Sequence, residues 1–249
     1  MSDLKTKVAI VTGASKGIGA GIARAFGAAG ALVVVNYQSS RTDADRVVSE
    51  IISRGSEAIA IQGDVSNAAD VKRLFKMTIE SFGKIDVIVN NAGVYRFEPV
   101  EAVTELEFHR EFNTNVLGAL LIIQEALKYF GPGGGNVINI SSIASKNPTP
   151  NSVVYSATKS AIDSITVGLS RELAARKIRV NAIAPGGTES EGLAAAGILG
   201  SQLEKHVINS TPLGRLGKPE DIARIAVFLA SDDASWLTGE RISASGGWR

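Results

Sequence analysis

Residues 8–19 of the 249-residue chain read Val-Ala-Ile-Val-Thr-Gly-Ala-Ser-Lys-Gly-Ile-Gly. The apolar run Val8–Val11 predicts a strand that is buried on both faces. Ile18, Ile22 and Phe26 recur every four residues, and this period predicts an amphipathic helix directly after the glycines. A strand, a glycine-rich turn and a helix in this order indicate an α/β fold.

The turn between this strand and helix has the spacing G-x-x-x-G-x-G. Glycine allows a tight turn and a close approach of the backbone to a phosphate, and the start of the helix offers free N–H groups to an anion. The alternative is that the glycines only connect the two elements. We predict a nucleotide site at Gly13, Ser15, Lys16, Gly17, Ile18 and Gly19.

The same alternation of strand and helix continues along the chain. Further strands are predicted at Leu32–Val35, Ala58–Ile61, Val87–Val89, Val137–Ile140, Val180–Ile183 and Arg241–Ala244. About seven strands with helices between them predict a doubly wound, Rossmann-like parallel sheet with helices on both faces. No linker or repeat divides the chain, so we predict a single domain over residues 1–249. Ligands of such sheets bind beyond the carboxyl ends of the strands.

Composition excludes several classes of function. The chain is 45% hydrophobic and 20% charged, with a formal net charge of +1, which gives no reason to expect a nucleic acid or membrane partner. Without cysteine there is no disulfide or thiolate site, and His109 and His206 lack metal-ligand spacing. The polar start, Met1 to Lys7, predicts no signal peptide. We therefore expect a soluble cytoplasmic protein without a bound metal.

Polar residues follow the second strand. The stretch Asn36-Tyr37-Gln38-Ser39-Ser40-Arg41 contains no carboxylate, whereas an NAD site usually carries an acid here for the ribose 2′-hydroxyl. Hydroxyls, an amide and Arg41, together with Lys16, suit a 2′-phosphate instead. The alternative is a polar loop with two solvated bases. We favour NADP(H) as the cofactor.

Three later strands also end in residues suited to a dinucleotide. Asp64, beside Val65, could accept a hydrogen bond from the adenine amino group or could cap the next helix. Asn91, Ala92 and Gly93 could let the chain pass close to the cofactor ribose, or close a tight left-handed turn. After the sixth strand, four residues could hold the nicotinamide carboxamide: Pro185, Gly186, Thr188 and Ser190.

The segment after Ser190 is rich in small and apolar residues. Glu191–Gly200 predicts a helical lid over a mainly apolar pocket, as part of a lid at about residues 189–212. A plain helix of small residues is the alternative.

The pentapeptide Tyr155-Ser156-Ala157-Thr158-Lys159 suggests acid–base chemistry. On a helix, the i, i+4 spacing places the phenol and the ammonium on one face. A free tyrosine has a pKa near 10, roughly three units too high for proton exchange at neutral pH, and an adjacent ammonium lowers this pKa. Ser142, after the fifth strand, could hold a carbonyl oxygen at the same site. The alternative is a half-buried aromatic residue beside a solvated lysine.

These motifs together resemble the short-chain dehydrogenase/reductase family over essentially the whole chain. The resemblance rests on Thr-Gly-x-x-x-Gly-Ile-Gly at 12–19, Asn-Asn-Ala-Gly at 90–93 and Tyr-x-x-x-Lys at 155–159, with Ser142. It implies that Tyr155 is the proton donor/acceptor, that Lys159 lowers its pKa and binds the nicotinamide ribose, and that Ser142 orients the substrate oxygen.

Further roles follow from the same resemblance. Asn115, inside the predicted helical stretch Glu105–Tyr129, would hold a water in a proton relay to Lys159; from the residues alone it is equally well a core amide. Lys16 and residues 36–40 look like the NADPH-using branch. Members of this type are usually homotetramers, which suits Trp236–Gly239 and the C-terminal tail as interface material.

We therefore expect an NADP(H)-dependent carbonyl (keto) reductase that interconverts a ketone and a secondary alcohol. A 3-oxoacyl-carrier-protein reductase is the main alternative, since Arg171 matches a docking position there, but residues 130–136 and Ser243–Gly247 depart from that subgroup. Sugar dehydrogenases share these variants. A nucleotide-sensing protein would normally lose Tyr155 or Lys159, and an epimerase would need a larger substrate domain.

Overall fold

The computed structural model describes residues 3–190 and 200–248. Within these residues the strands form one seven-stranded parallel sheet in the order β3-β2-β1-β4-β5-β6-β7. The strands are β1 Val8–Val11, β2 Leu32–Tyr37, β3 Ala58–Gln62, β4 Val87–Asn90, β5 Gly135–Ile140, β6 Ile178–Pro185 and β7 Arg241–Ala244. Every predicted strand is present, and the predicted doubly wound fold is confirmed.

Helices connect the strands in the described chain. They are α1 Gly17–Ala28, α2 Arg41–Ile52, α3 Ala68–Phe82, α4 Glu105–Phe112, α5 Gly118–Ala126, α6 Val153–Glu172, α7 Gln202–Ser210 and α8 Pro219–Ala230. The starts of α4 and α8 are capped: Thr104 Oγ1 accepts from Glu107 N, and the Asp221 carboxylate accepts from Lys218 N. No helix among the described residues is long and apolar enough to cross a membrane.

The single helix predicted over Glu105–Tyr129 is interrupted. A π-helical turn, Asn113–Leu117, separates α4 from α5 and contains Asn115. Such turns place one extra residue in a helix and occur often at functional sites. Periodicity did not indicate this turn, because the apolar pattern continues on both sides of it.

Two apolar layers enclose the sheet. Alternate residues of one strand enter different layers: Val11 packs with α1, α2 and α8, whereas Ile10 packs with α3 and α5. A parallel strand buried on both faces reads as an unbroken apolar run, which is why these strands could be predicted.

The strand order reverses at β1, which lies between β2 and β4. Val11 of β1 is in register with Val89 of β4, so the segments that follow these strands leave the sheet side by side. The crevice at such a reversal is the usual ligand site in this architecture. Of the predicted lid, residues 191–199 lie outside the described residues, and α7 follows them.

Candidate active site

A cleft of about 1010 Å³ runs along the carboxyl ends of the strands. The predicted cofactor-binding residues line it from the glycine turn, from the ends of β2, β3 and β4, and from the segment after β6. Ser142, Tyr155 and Lys159 line the same cleft. Gly19 and Tyr37 are exceptions and do not contribute to its wall.

The glycine turn packs too tightly against β4 for side chains. Gly13 has a φ of +59°, and a Cβ on it would lie 2.8 Å from the Cα of Ala92. A Cβ on Gly19 would lie 2.3 Å from Nδ2 of Asn91, which donates to the carbonyls of Thr12 and Gly13. Gly19 therefore makes room for Asn91, and Gly13 keeps the turn close to the cleft.

The polar residues after β2 have separate positions. Lys16 Nζ lies 2.9 Å from Oδ2 of Asp43, and both side chains are partly exposed. Ser39 and Ser40 line the cleft. Asn36 is buried, and its Oδ1 accepts from Gly13 N, so it braces the glycine turn.

Two expectations about this loop are corrected. Tyr37 belongs to the buried core between the sheet and its helices, because alternate residues of β2 point away from the cleft. Arg41 pairs with Asp45 at 3.4 Å on an exposed face of α2 and does not line the cleft.

The structure does not support the helix cap or the left-handed turn that were the alternatives at the ends of β3 and β4. Asp64 does not cap α3, since that cap is Asn67 Oδ1, 2.8 Å from Ala69 N. Asp64 lines the cleft, where its Oδ2 accepts from Gln38 Nε2 at 2.8 Å. Neither Asn91 nor Gly93 has a positive φ, so the strand end is not a left-handed turn.

Tyr155 and Lys159 lie one turn apart on α6, as their spacing predicted. The Tyr155 phenol is half-buried in the cleft, which Ser142 also lines. Lys159 is only 5% exposed; its Nζ donates to the Ile140 carbonyl at 2.8 Å and lies 5.7 Å from the centre of the Tyr155 ring. An ammonium has three N–H groups, so two remain beyond the one given to Ile140.

The electrostatics differ from the expectation that Lys159 lowers the pKa of Tyr155. Burial raises the pKa of Tyr155 to about 12, against a smaller lowering by the Ser142 hydrogen bond. Burial lowers the pKa of Lys159 to about 8, although the charge of Asp163 opposes this. The physical reason is that Lys159 is directed to a backbone carbonyl, while enclosure disfavours the charged form of both groups.

Asn115 joins three parts of the site. Its Oδ1 accepts from Val94 N and its Nδ2 donates to Val94 O, both at 2.8 Å, while Nδ2 also donates to Thr158 Oγ1 at 3.0 Å. Asn115 and Lys159 also line an enclosed cavity of about 10 Å³. Asn90 lines the same cavity, and its buried Oδ1 accepts no hydrogen bond from the described residues. A polar cavity of this size is at the lower limit for one water.

An ion pair that the sequence did not reveal braces the Ser142 loop. Arg241 Nε lies 2.8 Å from Asp163 Oδ2, with side-chain exposures of 12% and 17%. Arg241 Nη2 also donates to the Ser142 carbonyl at 2.9 Å, and Asp163 accepts from the hydroxyls of Ser141 and Ser145. Asp163 lies one turn beyond Lys159, which is the only sequence signal that could have indicated it.

Aromatic side chains form another part of the cleft that the sequence did not single out. The Tyr95 ring lies 5.7 Å from the Tyr155 ring at 66°, and the Phe97 ring lies 6.2 Å from it at 87°. We call Tyr95 and Phe97 the aromatic wall. In the described residues no group of three or more His, Asp or Glu is arranged to hold a metal ion.

Comparisons with known proteins agree with this geometry. A family model described as enoyl-(acyl carrier protein) reductase matches residues 13–249. An uncharacterised oxidoreductase of Methylorubrum extorquens is 53% identical, covering 100% of both chains. Versicolorin reductase stcU of Emericella nidulans is 40% identical over 98% of this chain and 96% of that protein. The solved angucycline C-6 ketoreductase LanV with bound NADP is 36% identical, has a TM-score of 0.93, and covers 99% of this chain and 96% of that one.

The buried ion pair generates a prediction about stability. Replacing Arg241 by Met leaves the Asp163 carboxylate largely buried without its cation, so the free energy of unfolding should fall by about 3 kcal/mol. The double variant Arg241→Met with Asp163→Asn removes the unpaired charge and should recover part of this loss. Urea unfolding of the three proteins measures both effects. Equal stability of Arg241→Met and the wild type would contradict the bracing role.

Proposed function

The chain belongs to the short-chain dehydrogenase/reductase family of oxidoreductases, and we propose that it is an NADP(H)-dependent carbonyl reductase interconverting a ketone and a secondary alcohol. The observation that carries this proposal is the Tyr155 phenol in the same cleft as the Ser142 hydroxyl and one helical turn from Lys159. A hydroxyl pair of this kind can bind a carbonyl oxygen and give it a proton.

The cleft fits a dinucleotide. Its volume of about 1010 Å³ is adequate, and its glycine turn has no space for a Cβ at Gly13. Lys16, Ser39 and Ser40 would hold the 2′-phosphate; the pairing of Lys16 with Asp43 is no obstacle, since an ion pair between partly exposed groups is worth little. Asp64 would meet the adenine, and Thr188 and Ser190 the carboxamide. The ketoreductase with bound NADP supports this assignment.

The raised pKa of Tyr155 suits a group that donates a proton to a carbonyl oxygen. When bound, the nicotinamide supplies a hydride to the carbonyl carbon. A phenol with a pKa of about 12 is protonated at neutral pH, which is the state required of a proton donor. Ser142 would hold the same carbonyl oxygen and lower the pKa of the phenol as the proton leaves.

Lys159 and Asn115 would restore the lost proton. Lys159, with a pKa of about 8, is largely protonated at pH 7 and can bind ribose hydroxyls with its remaining N–H groups. The small cavity beside Lys159, Asn115 and Asn90 would hold one water. This water would donate a hydrogen bond to Asn90 Oδ1, which has no partner among the described residues. This water would connect the ammonium to the interior side of the site.

The aromatic wall favours a bulky, flat substrate over a hydrophilic one. Aromatic rings beside Tyr155 bind apolar surface and offer no carboxylate or amide for sugar hydroxyls. We therefore place aryl ketones ahead of sugars. The 3-oxoacyl-carrier-protein reductase remains the alternative, and the description of the matching family model adds an enoyl thioester to the substrates to be compared.

A substrate comparison tests this order. NADPH consumption should be at least about tenfold more efficient, in kcat/KM, with a bicyclic aryl ketone than with an acetoacetyl or crotonyl thioester. Higher efficiency with acetoacetyl thioester would support the carrier-protein reductase, and preferred oxidation of a sugar would support the sugar dehydrogenase.

Tyr155→Phe should reduce ketone turnover by about 10³-fold, because the proton donor is lost while the ring remains. NADPH affinity, measured by fluorescence titration, should stay within about twofold of the wild type. Tyr129→Phe, a tyrosine that stacks on Phe75 outside the cleft, is the control. Wild-type turnover in Tyr155→Phe would refute the proposed role.

Lys16→Ala combined with Ser39→Asp should reverse the cofactor preference. The double variant loses a cation and gains an anion beside the proposed 2′-phosphate site, so the ratio of NADPH to NADH efficiency should fall by about 100-fold. Arg54→Ala removes an exposed base elsewhere and should leave the ratio unchanged. An unchanged ratio in the double variant would remove the argument for NADP(H).

We also propose the homotetramer that the sequence suggested. Trp236 is 98% exposed, which is unusual for so large an apolar side chain and suits a subunit interface. Light scattering measures the mass in solution. Cytoplasmic location stays a prediction from the sequence.

A further inference from the structure

The backbone that carries the aromatic wall is held by side chains of one helical segment. Asn115 binds both the N–H and the carbonyl of Val94. Arg110 Nη2 donates to the Tyr95 carbonyl at 3.3 Å, and Arg96 N donates to Glu111 Oε1 at 2.7 Å. The position of Tyr95 and Phe97 against Tyr155 therefore depends on α4 and the π-helical turn.

Glu111 is unusual among these residues because it is 1% exposed and unpaired with a cation. Its Oε1 accepts from Arg96 N, while its buried Oε2 accepts no hydrogen bond from any described residue. Glu107, one helical turn earlier on α4, acts on it through its charge. Two buried carboxylates one turn apart repel each other, which favours a proton on one of them.

The neighbouring groups decide which carboxyl is protonated. Arg110 binds both oxygens of Glu107, at 2.9 and 2.6 Å, and holds the pKa of Glu107 below its ordinary value. Burial raises the pKa of Glu111 to about 7, and the charge of Glu107 adds to this. The proton therefore belongs to Glu111.

We propose that protonated Glu111 is a positioning residue that, with Glu107 and Arg110, holds the aromatic wall of the substrate site against Tyr155. The charged or titratable groups around it are Glu107 and Arg110 on α4, with Tyr95 and Arg96 on residues 94–97, which we call the wall segment. From α6, Tyr155 and Lys159 also sense its charge. Ionisation would leave two buried carboxylates beside one guanidinium, and the wall segment would loosen.

The direction in which the pKa of Glu111 is shifted determines how pH affects the wall. The pKa of Glu111 in the folded protein, about 7, lies above its ordinary value of 4.5. The stabilisation that protonated Glu111 contributes is therefore complete below the ordinary pKa of a glutamate. It is lost as the pH rises through about 7. The wall should be ordered at pH 6 and looser at pH 8.

Amide hydrogen exchange tests the wall without relying on enzyme activity. In the wild type, after correction for intrinsic rates, the amides of Val94 and Arg96 should exchange about fivefold faster at pH 8 than at pH 6. Glu111→Gln keeps an acceptor for Arg96 and is uncharged at either pH, so its amides should exchange slowly at both pH values. Glu105→Gln, which changes an exposed carboxylate on the same helix, should behave as the wild type. Equal protection of the wild type at both pH values, or a persisting pH step in Glu111→Gln, would overturn the proposal.

Kinetics extend the test and rest on the proposed function. The KM for an aryl ketone should rise about fivefold between pH 6 and pH 8 in the wild type and stay constant in Glu111→Gln, with NADPH affinity unchanged in both. A pH-dependent KM that persists in Glu111→Gln would count against the positioning role. Absence of any ketone turnover would reject the proposed function, and the exchange measurement would still decide the role of Glu111.

Discussion

One hydrogen bond, from the buried ammonium of Lys159 to the carbonyl of Ile140, joins α6 to the carboxyl end of β5. A charge at this depth must have a polar partner, and the last carbonyl of a strand is a fixed one. The bond holds α6 against the strand from which the Ser142 loop leaves. Asp163 and Arg241 brace the same loop from the other side, so the hydroxyl pair is held by α6, β5 and β7 together.

Enclosure has a consequence for the acid–base groups. Burial disfavours the charged form of each group, so Tyr155, Lys159 and Glu111 all have pKa values displaced toward the neutral form. In such a site, the acidic groups Tyr155 and Glu111 keep their protons until a bound ligand changes the electrostatic potential around them.

Local patterns predicted most of the fold and the centre of the site. Continuous apolar runs identify strands buried on both faces, and the spacing of Tyr155 and Lys159 is read directly from a helix. The contacts of Arg241 with Asp163 span 78 residues, and no local pattern reports such a pair. The direction of the Lys159 ammonium and the inward position of Tyr37 likewise depend on tertiary packing. Glu111 has the sequence environment of an ordinary surface acid, and only its burial distinguishes it.

The π-helical turn Asn113–Leu117 has a further consequence. Each residue of an α-helix turns the chain by about 100°, so one surplus residue sets the rotation of α4 relative to α5. Glu111 and Asn115 contact residues 94–96, while α5 packs its apolar side against the sheet. Part of the cleft geometry therefore depends on the number of residues between Glu111 and α5. Deleting one residue from the π-helical turn would displace several side chains of the site at once.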